Sequence, residues 1–356
     1  MRRMTRIRLA FLSYCFVLLA LAVLAAEFWL LPAQQGLSRA SLLNGFVAVP
    51  GSVVDGQRIN ALGFTGAEPT IPKPAGTLRV LLLGSSTLFN RHLGERLQAA
   101  LQQRTTQRVE VLDAGLRSHT SRADVLKWQL LSGYQWDVVV VYNGINDLWA
   151  NHVRAQDYRH DYSHLDPWYR RGGLLEHSLV WRRLYNGAWH VVRAVNRRCQ
   201  ACWFPDYQFV FPSKPYMNAA SFASLDSYRN NLDSLVQAIR ATGAKPVLLT
   251  FAWHLPDKYS RQAFLDHALG YHNPEHYDER DVFNWGSPDY VREGLVQQNA
   301  IVRDVAAKER VLLLDMDAVM SHQPMWFGDV CHFSEAGVDA FNTTLAETVL
   351  QRDPAR

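Results

Sequence analysis

A chain of 356 residues with 48% hydrophobic and 20% charged side chains is long enough for one large domain with insertions, and its core needs no disulfide staples. The net charge of +4 is local: Arg2, Arg3, Arg6 and Arg8 account for it, and the other 33 basic residues match 33 acidic ones. That balance argues against a nucleic-acid footprint, which needs a clustered basic face.

Residues 1–8 form a basic tail without an acid, and Leu9 to Ala26 follow without a charge; apart from Glu27 the apolar run continues through Leu31 and stops at Pro32. A helix over 9–31 would be about 34 Å long at 1.5 Å per residue, enough to cross a hydrocarbon core of roughly 30 Å. The expectation is one N-terminal transmembrane anchor with a cytoplasmic N-terminus, since the arginines precede it. A cleaved signal peptide is the alternative, with Ala20-Leu21-Ala22 as the small-residue site. Phe28-Trp29-Leu30-Leu31 prolongs the apolar stretch past that cut and favours retention. Either reading places the rest of the chain outside the cytoplasm, as a linker and lead-in over 32–76 and a domain over 77–356.

Five runs then have the continuous apolar character of strands covered on both faces: Leu78 to Leu83, Val109 to Leu112, Val138 to Tyr142, Val247 to Phe251 and Val311 to Leu314. Helical patterns separate them: Leu93 to Gln102, Ala123 to Leu131, Tyr228 to Ala241, Tyr290 to Lys308, and Glu335 to Gln351. The alternation predicts an α/β fold, a flavodoxin-like three-layer sandwich with a five-stranded parallel sheet. Ligands of such sheets bind beyond the carboxyl ends of the strands.

Polar residues cluster at those ends. Ser86 follows the first strand in Gly84-Ser85-Ser86-Thr87, Gly115 follows the second, and Asn146 follows the third in Gly144-Ile145-Asn146-Asp147. Asp329 and His332 lie after the fifth in Asp329-Val330-Cys331-His332. Each has a bland reading alone: a serine after a strand is commonly a helix cap, Gly-x-Asn-Asp a turn, and Asp-x-x-His a capping loop. Together they supply what a serine nucleophile needs: a base to take its proton, an acid to orient the base, and donors for an oxyanion. Asp147 reads as support for the Asn146 loop, and Cys331 as a small buried side chain beside the histidine.

These blocks, in this order, resemble the SGNH hydrolases, also called the GDSL esterase and lipase superfamily, over roughly 78–350. The resemblance implies Ser86 as nucleophile, His332 as base and Asp329 as orienting acid. It also implies an oxyanion hole from the backbone amides of Ser86 and Gly115 and the side-chain amide of Asn146. Ser85 departs from the usual aspartate, Asp113 stands where asparagine is common, and Ser118 where a second glycine is common. The lead-in Arg58 to Phe64 followed by Pro72-Lys73-Pro74 looks like that of membrane-attached bacterial members, which implies a bacterial inner-membrane location with a periplasmic or extracellular catalytic domain.

The insertion 151–222 lies outside the family pattern. It holds fourteen aromatic residues in 72, and ten Arg or Lys against five Asp or Glu. Leu174, Trp181, Leu184, Ala188, Val191 and Val195 fall at helical spacing, which predicts a helix packed on the main domain as a structural cap. The alternative is a substrate-facing surface where Tyr158, Trp168 and Tyr169 stack on sugars and the positive charge meets anionic polymer or lipid headgroups. Cys199 and Cys202 could pair or stay as thiols. His267, His272, Glu275, His276 and Asp278 lack regular ligand spacing and read as a solvated loop, and Trp253 and His254 as cleft-lining or core-edge residues. No cofactor or metal is called for. The expected activity is serine esterase action on an acylated carbohydrate or lipid, with acyl transfer to a polysaccharide, or a non-catalytic polysaccharide-binding or assembly role, as alternatives. A flavodoxin-like nucleotide binder fits least, because Gly84-Ser85-Ser86 lacks the phosphate-cradling glycine spacing.

Overall fold

A computed structural model describes residues 2–30, 37–41, 45–153, 158–165, 222–272 and 281–350, with single positions at 155, 180, 184, 188 and 191. Helix α1 (Arg2–Leu30) is continuous. Its side chains are described at 8 and over 11–26, where Phe11, Phe16 and Leu24 stand exposed. Among the described residues no helix is long and apolar enough to cross a membrane, and the expected span 9–31 extends past the described side chains at both ends.

The lead-in is more structured than a linker. Strands β1 (Leu37–Ser41) and β2 (Gly45–Ala48) pair antiparallel, as do β3 (Val53–Val54) and β4 (Gln57–Arg58). Strand β5 (Thr65–Gly66) joins the main sheet, whose other members are β6 (Thr77–Gly84), β7 (Arg108–Asp113), β8 (Val138–Tyr142), β9 (Lys245–Leu249) and β10 (Leu312–Leu314).

The order β10-β9-β8-β6-β7-β5 is parallel through β7, and β5 closes the edge antiparallel to β7. The sheet is therefore six-stranded and mixed rather than five-stranded and parallel. A two-residue strand carries no periodicity for a sequence to reveal. Its second residue, Gly66, sits at φ +85°, and a Cβ there would lie 2.4 Å from the Val111 carbonyl oxygen, so only glycine lets the lead-in approach this edge.

Alternate residues of each strand feed two cores. Val80, Leu82, Val111, Val140 and Leu249 face α3 (Leu93–Gln102) and the C-terminal helix Glu335–Leu350, through Leu97 and Phe341. Leu81, Leu83, Leu112, Val139 and Leu248 face α4 (Ser121–Leu131) and α5 (Ser224–Arg240), through Trp128, Leu232 and Val236. This is the period-two logic of a strand covered on both sides, each such side chain contributing about 1.5–3 kcal/mol by burial. The long helix Pro288–Glu309 begins two residues before the apolar pattern does, because Ser287 caps it by accepting from the Tyr290 amide and Pro288 opens its first turn.

Of the insertion, Leu184, Ala188 and Val191 are helical, in agreement with their spacing, and Val180 is helical as well. Leu184 and Val191 are each 64% exposed, so these positions do not pack on the main domain as expected. Periodicity fixes which residues share a face, not what that face meets. Leu174, Trp181, Val195, Trp168, Tyr169, Cys199 and Cys202 lie outside the described residues. Tyr158 is half-buried, and its hydroxyl bonds Ser227 Oγ at 2.8 Å, which ties it to α5.

Candidate active site

Three of the five expected residues meet in one chain of contacts. Ser86 Oγ lies 2.9 Å from His332 Nε2, and His332 Nδ1 lies 2.7 Å from Asp329 Oδ2. A carboxylate can only accept, so Nδ1 carries the hydrogen toward Asp329 and Nε2 is left to accept from the Ser86 hydroxyl. Asp329 is fully buried, and its Oδ1 also accepts from the amides of Cys331 at 2.9 Å and His332 at 2.8 Å. Burial acts to raise the Asp329 carboxyl, but the His332 imidazole and those amides outweigh it and hold the group below its ordinary value. The loop is closed by Gly328 N–H donating to the His332 carbonyl at 2.8 Å, and His254 N–H donates to the Val330 carbonyl at 2.9 Å. His254 thus supports the Asp329 loop from the end of β9.

Ser86 opens the four-residue helix α2 (Ser86–Phe89), preceded by Ser85 in extended conformation. A first-turn amide has no intrahelical acceptor, so the Ser86 N–H is available to a ligand oxygen. The turn is held from below by a buried ion pair. Lys127 Nζ donates to the Gly84 carbonyl at 2.7 Å and to Asp124 Oδ1 at 2.8 Å, and Asn143 Nδ2 donates to the other Asp124 oxygen. Burial lowers the Lys127 ammonium and raises the Asp124 carboxyl, while each partner opposes that shift in the other.

The expected oxyanion donors are differently disposed. Asn146 is buried, with Nδ2 donating to the His119 carbonyl at 3.0 Å and Oδ1 accepting from Trp285 Nε1 at 2.9 Å, so one Nδ2 hydrogen remains. The Gly115 amide, expected to point at the substrate oxygen, donates instead to Asp113 Oδ1 at 2.7 Å. The cause is a short side chain reaching an amide two residues on, as aspartate readily does. Gly115 serves a packing purpose: a Cβ there would lie 2.7 Å from Leu88 Cβ and 2.8 Å from the Phe89 nitrogen, so the missing side chain lets this strand end abut the Ser86 turn. Ser118 adopts φ +63°, a left-handed conformation that explains why glycine suits that position.

Asp147 ties the Asn146 turn to the start of α4, accepting from the Ser121 amide at 2.9 Å and the Ser121 hydroxyl at 2.5 Å. Burial pushes its carboxyl up to about 7 against those bonds, and pushes Asp113 up to about 6. Asp329, Cys331 and His332 are the group among the described residues whose donor atoms, within 4.8 Å of one another, could hold a metal ion. Two of them are already engaged with each other, and burial raises the Cys331 thiol well above its ordinary value. In the histidine-rich loop His267 and His272 do not join such a group, and Glu275, His276 and Asp278 lie outside the described residues.

A family model described as the GDSL-like lipase/acylhydrolase family matches residues 82–340, most of the chain and every strand end above. The chain belongs to the GDSL-like lipase/acylhydrolase family. As a member it is an ester-bond hydrolase. Solved structures similar to this GDSL-family chain include a lipase/acylhydrolase from Enterococcus faecalis, 13% identical, covering 76% of this chain and 95% of that one at a TM-score of 0.41. An acetylxylan esterase from Geobacillus stearothermophilus, in a catalytic mutant, is 14% identical over 77% and 95% at 0.42. A putative acylhydrolase from Bacteroides fragilis is 12% identical over 80% and 89% at 0.41. No curated protein matches the sequence.

Several residues around this GDSL-family site escape a sequence reading. Trp285 sits in a loop that composition marks as solvated, yet it is buried against Asn146 and its ring centroid lies 6.3 Å from that of His332. Lys127 and Asp124 have the i, i+3 spacing of an ordinary surface ion pair, yet both are fully buried. Only their sharing a helical stripe with Leu131 hints that the pair faces inward.

Proposed function

We propose that this chain is an exported, membrane-anchored serine esterase that removes O-acyl groups, acetyl above all, from a carbohydrate or envelope polymer. The observation that carries the reading is the unbroken chain Ser86 Oγ, His332 Nε2, His332 Nδ1, Asp329 Oδ2, with contacts of 2.9 and 2.7 Å. In this reading His332 takes the Ser86 proton as Oγ attacks the ester carbonyl, then returns it to the leaving alcohol; water, deprotonated by the same imidazole, releases the acid. Asp329 keeps the tautomer and stabilises the imidazolium. The Ser86 amide and the remaining Asn146 hydrogen receive the developing oxyanion, and Gly115 contributes its amide only where that hydrogen is shared with Asp113.

The anchor rests on the uncharged run after four arginines, and the carbohydrate substrate on the aromatic, basic composition of 151–222. The test is acid release from p-nitrophenyl acetate and from acetylated oligosaccharides. The wild type frees acetate and Ser86→Ala does not; acetate release by Ser86→Ala at the wild-type rate overturns the proposal. Transfer of the acyl group to an added saccharide, in place of free acid, would reassign the second half-reaction.

A further inference from the structure

We infer that Trp285 is a positioning residue for catalysis, fixing which end of the Asn146 amide faces the reacting carbonyl. The inference rests on the reading of Asn146 as an oxyanion donor. A side-chain amide has a donor end and an acceptor end of nearly equal shape, and rotation by half a turn exchanges them. An indole N–H can only donate. Because Trp285 Nε1 lies 2.9 Å from Asn146 Oδ1, and the His119 carbonyl accepts from Nδ2 at 3.0 Å, only one orientation satisfies both neighbours. The flipped amide would set N–H against N–H and carbonyl against carbonyl, inside a site where Asn146 and Trp285 are each 2% exposed and water cannot make good the loss. The orientation selected keeps the second Nδ2 hydrogen for the oxyanion.

The indole is itself clamped from the same turn that carries Asn146. Residues 145–151 form a 3₁₀ helix, in which positions three apart eclipse, so Asn146 and Trp149 share a face. Trp149 stacks on Trp285 with centroids 6.1 Å apart and planes 10° from parallel, and its Nε1 donates to the Asn284 carbonyl at 2.7 Å. Two indole N–H groups therefore bind the short turn Val282–Asn284 and its successor Trp285 to the strand end: one donates from the 3₁₀ helix to the loop, the other from the loop to the 3₁₀ helix.

The test is a double-mutant cycle in steady-state hydrolysis of p-nitrophenyl acetate by the full chain, using Trp285→Phe, Asn146→Ala and the double variant. Trp285→Phe keeps a six-membered aromatic ring and deletes the donor along with the five-membered ring that carries it. It should lower kcat about 3- to 10-fold, the worth of one neutral hydrogen bond, with KM little changed. Asn146→Ala should lower kcat ~100-fold or more. The double variant should match Asn146→Ala, because an orienting group has nothing left to orient. A merely structural tryptophan would instead lower kcat by the same factor in both backgrounds, and that result, or an unchanged kcat in Trp285→Phe, overturns the inference. An unchanged kcat in Asn146→Ala would overturn the oxyanion assignment itself. Should Trp285→Phe fail to fold, Trp149→Phe, which loosens the clamp from the other side, enters the same cycle with the same two outcomes.

Discussion

Asp113 concentrates the conflict between burial and charge beside the Ser86 turn. It is fully buried, accepts from the Gly115 amide, and has its carboxyl pushed up to about 6 by desolvation against an ordinary value of 3.8. A carboxyl raised in the folded state binds its proton more tightly there than in the unfolded chain. Its favourable contribution is whole below about pH 3.8 and is lost as pH rises through about 6. Asp113→Asn removes that loss while keeping an acceptor for Gly115. Its stability relative to wild type should increase between pH 4 and pH 8 by up to about 3 kcal/mol, measured by urea unfolding at each pH. A difference that stays constant with pH would show that the carboxyl is ionised throughout. At this scale the relay was legible, because Ser86, Asp329 and His332 stand in short motifs at strand ends. Trp285 was not, since its role depends on an indole hydrogen bond across 139 residues of sequence that no local pattern encodes. The engagement of the Gly115 amide is hidden for the opposite reason: its acceptor, the Asp113 side chain, stands only two residues away.

Among elements, α4 shows how a helix can hide its work. Its buried face mixes Ala123, Trp128 and Leu131 with Asp124 and Lys127, so the apolar stripe that announces the other helices is interrupted. The interruption is what holds the β6 end, through the Lys127 bond to the Gly84 carbonyl. Lys127→Met should strip Asp124 of its buried counter-ion and cost about 3–5 kcal/mol, and adding Asp124→Leu should recover part of that loss. Chemical denaturation of the single and double variants checks this; a single variant as stable as wild type would mean that the pair contributes nothing net. The strand–helix alternation itself was readable to within a few residues, since β8 is an unbroken apolar run and β6 and β7 are interrupted internally only by Arg79 and Glu110, which pair with each other in the interior. β5 was invisible because two residues have no period, and its place depends on Gly66 approaching Val111.

For the molecule as a whole, the proposed topology sets a basic tail on one side of the membrane, the apolar helix across it and the GDSL-family domain on the other. Full-length chain should stay in the membrane pellet through alkaline carbonate washing and enter the soluble fraction only with detergent; release by carbonate alone would refute the anchor. The candidate site gathers residues from 86 to 332 because the five parallel strands put their carboxyl termini on one edge of the sheet. In the proposed mechanism Ser86 is the activated nucleophile at that edge. Labelling with a fluorophosphonate probe, followed by peptide mass mapping, tests it most directly. Modification should fall on the peptide containing Ser86 and vanish in His332→Ala, whereas ester cleavage accompanied by label on a different serine, or undiminished label on Ser86 in His332→Ala, would contradict it.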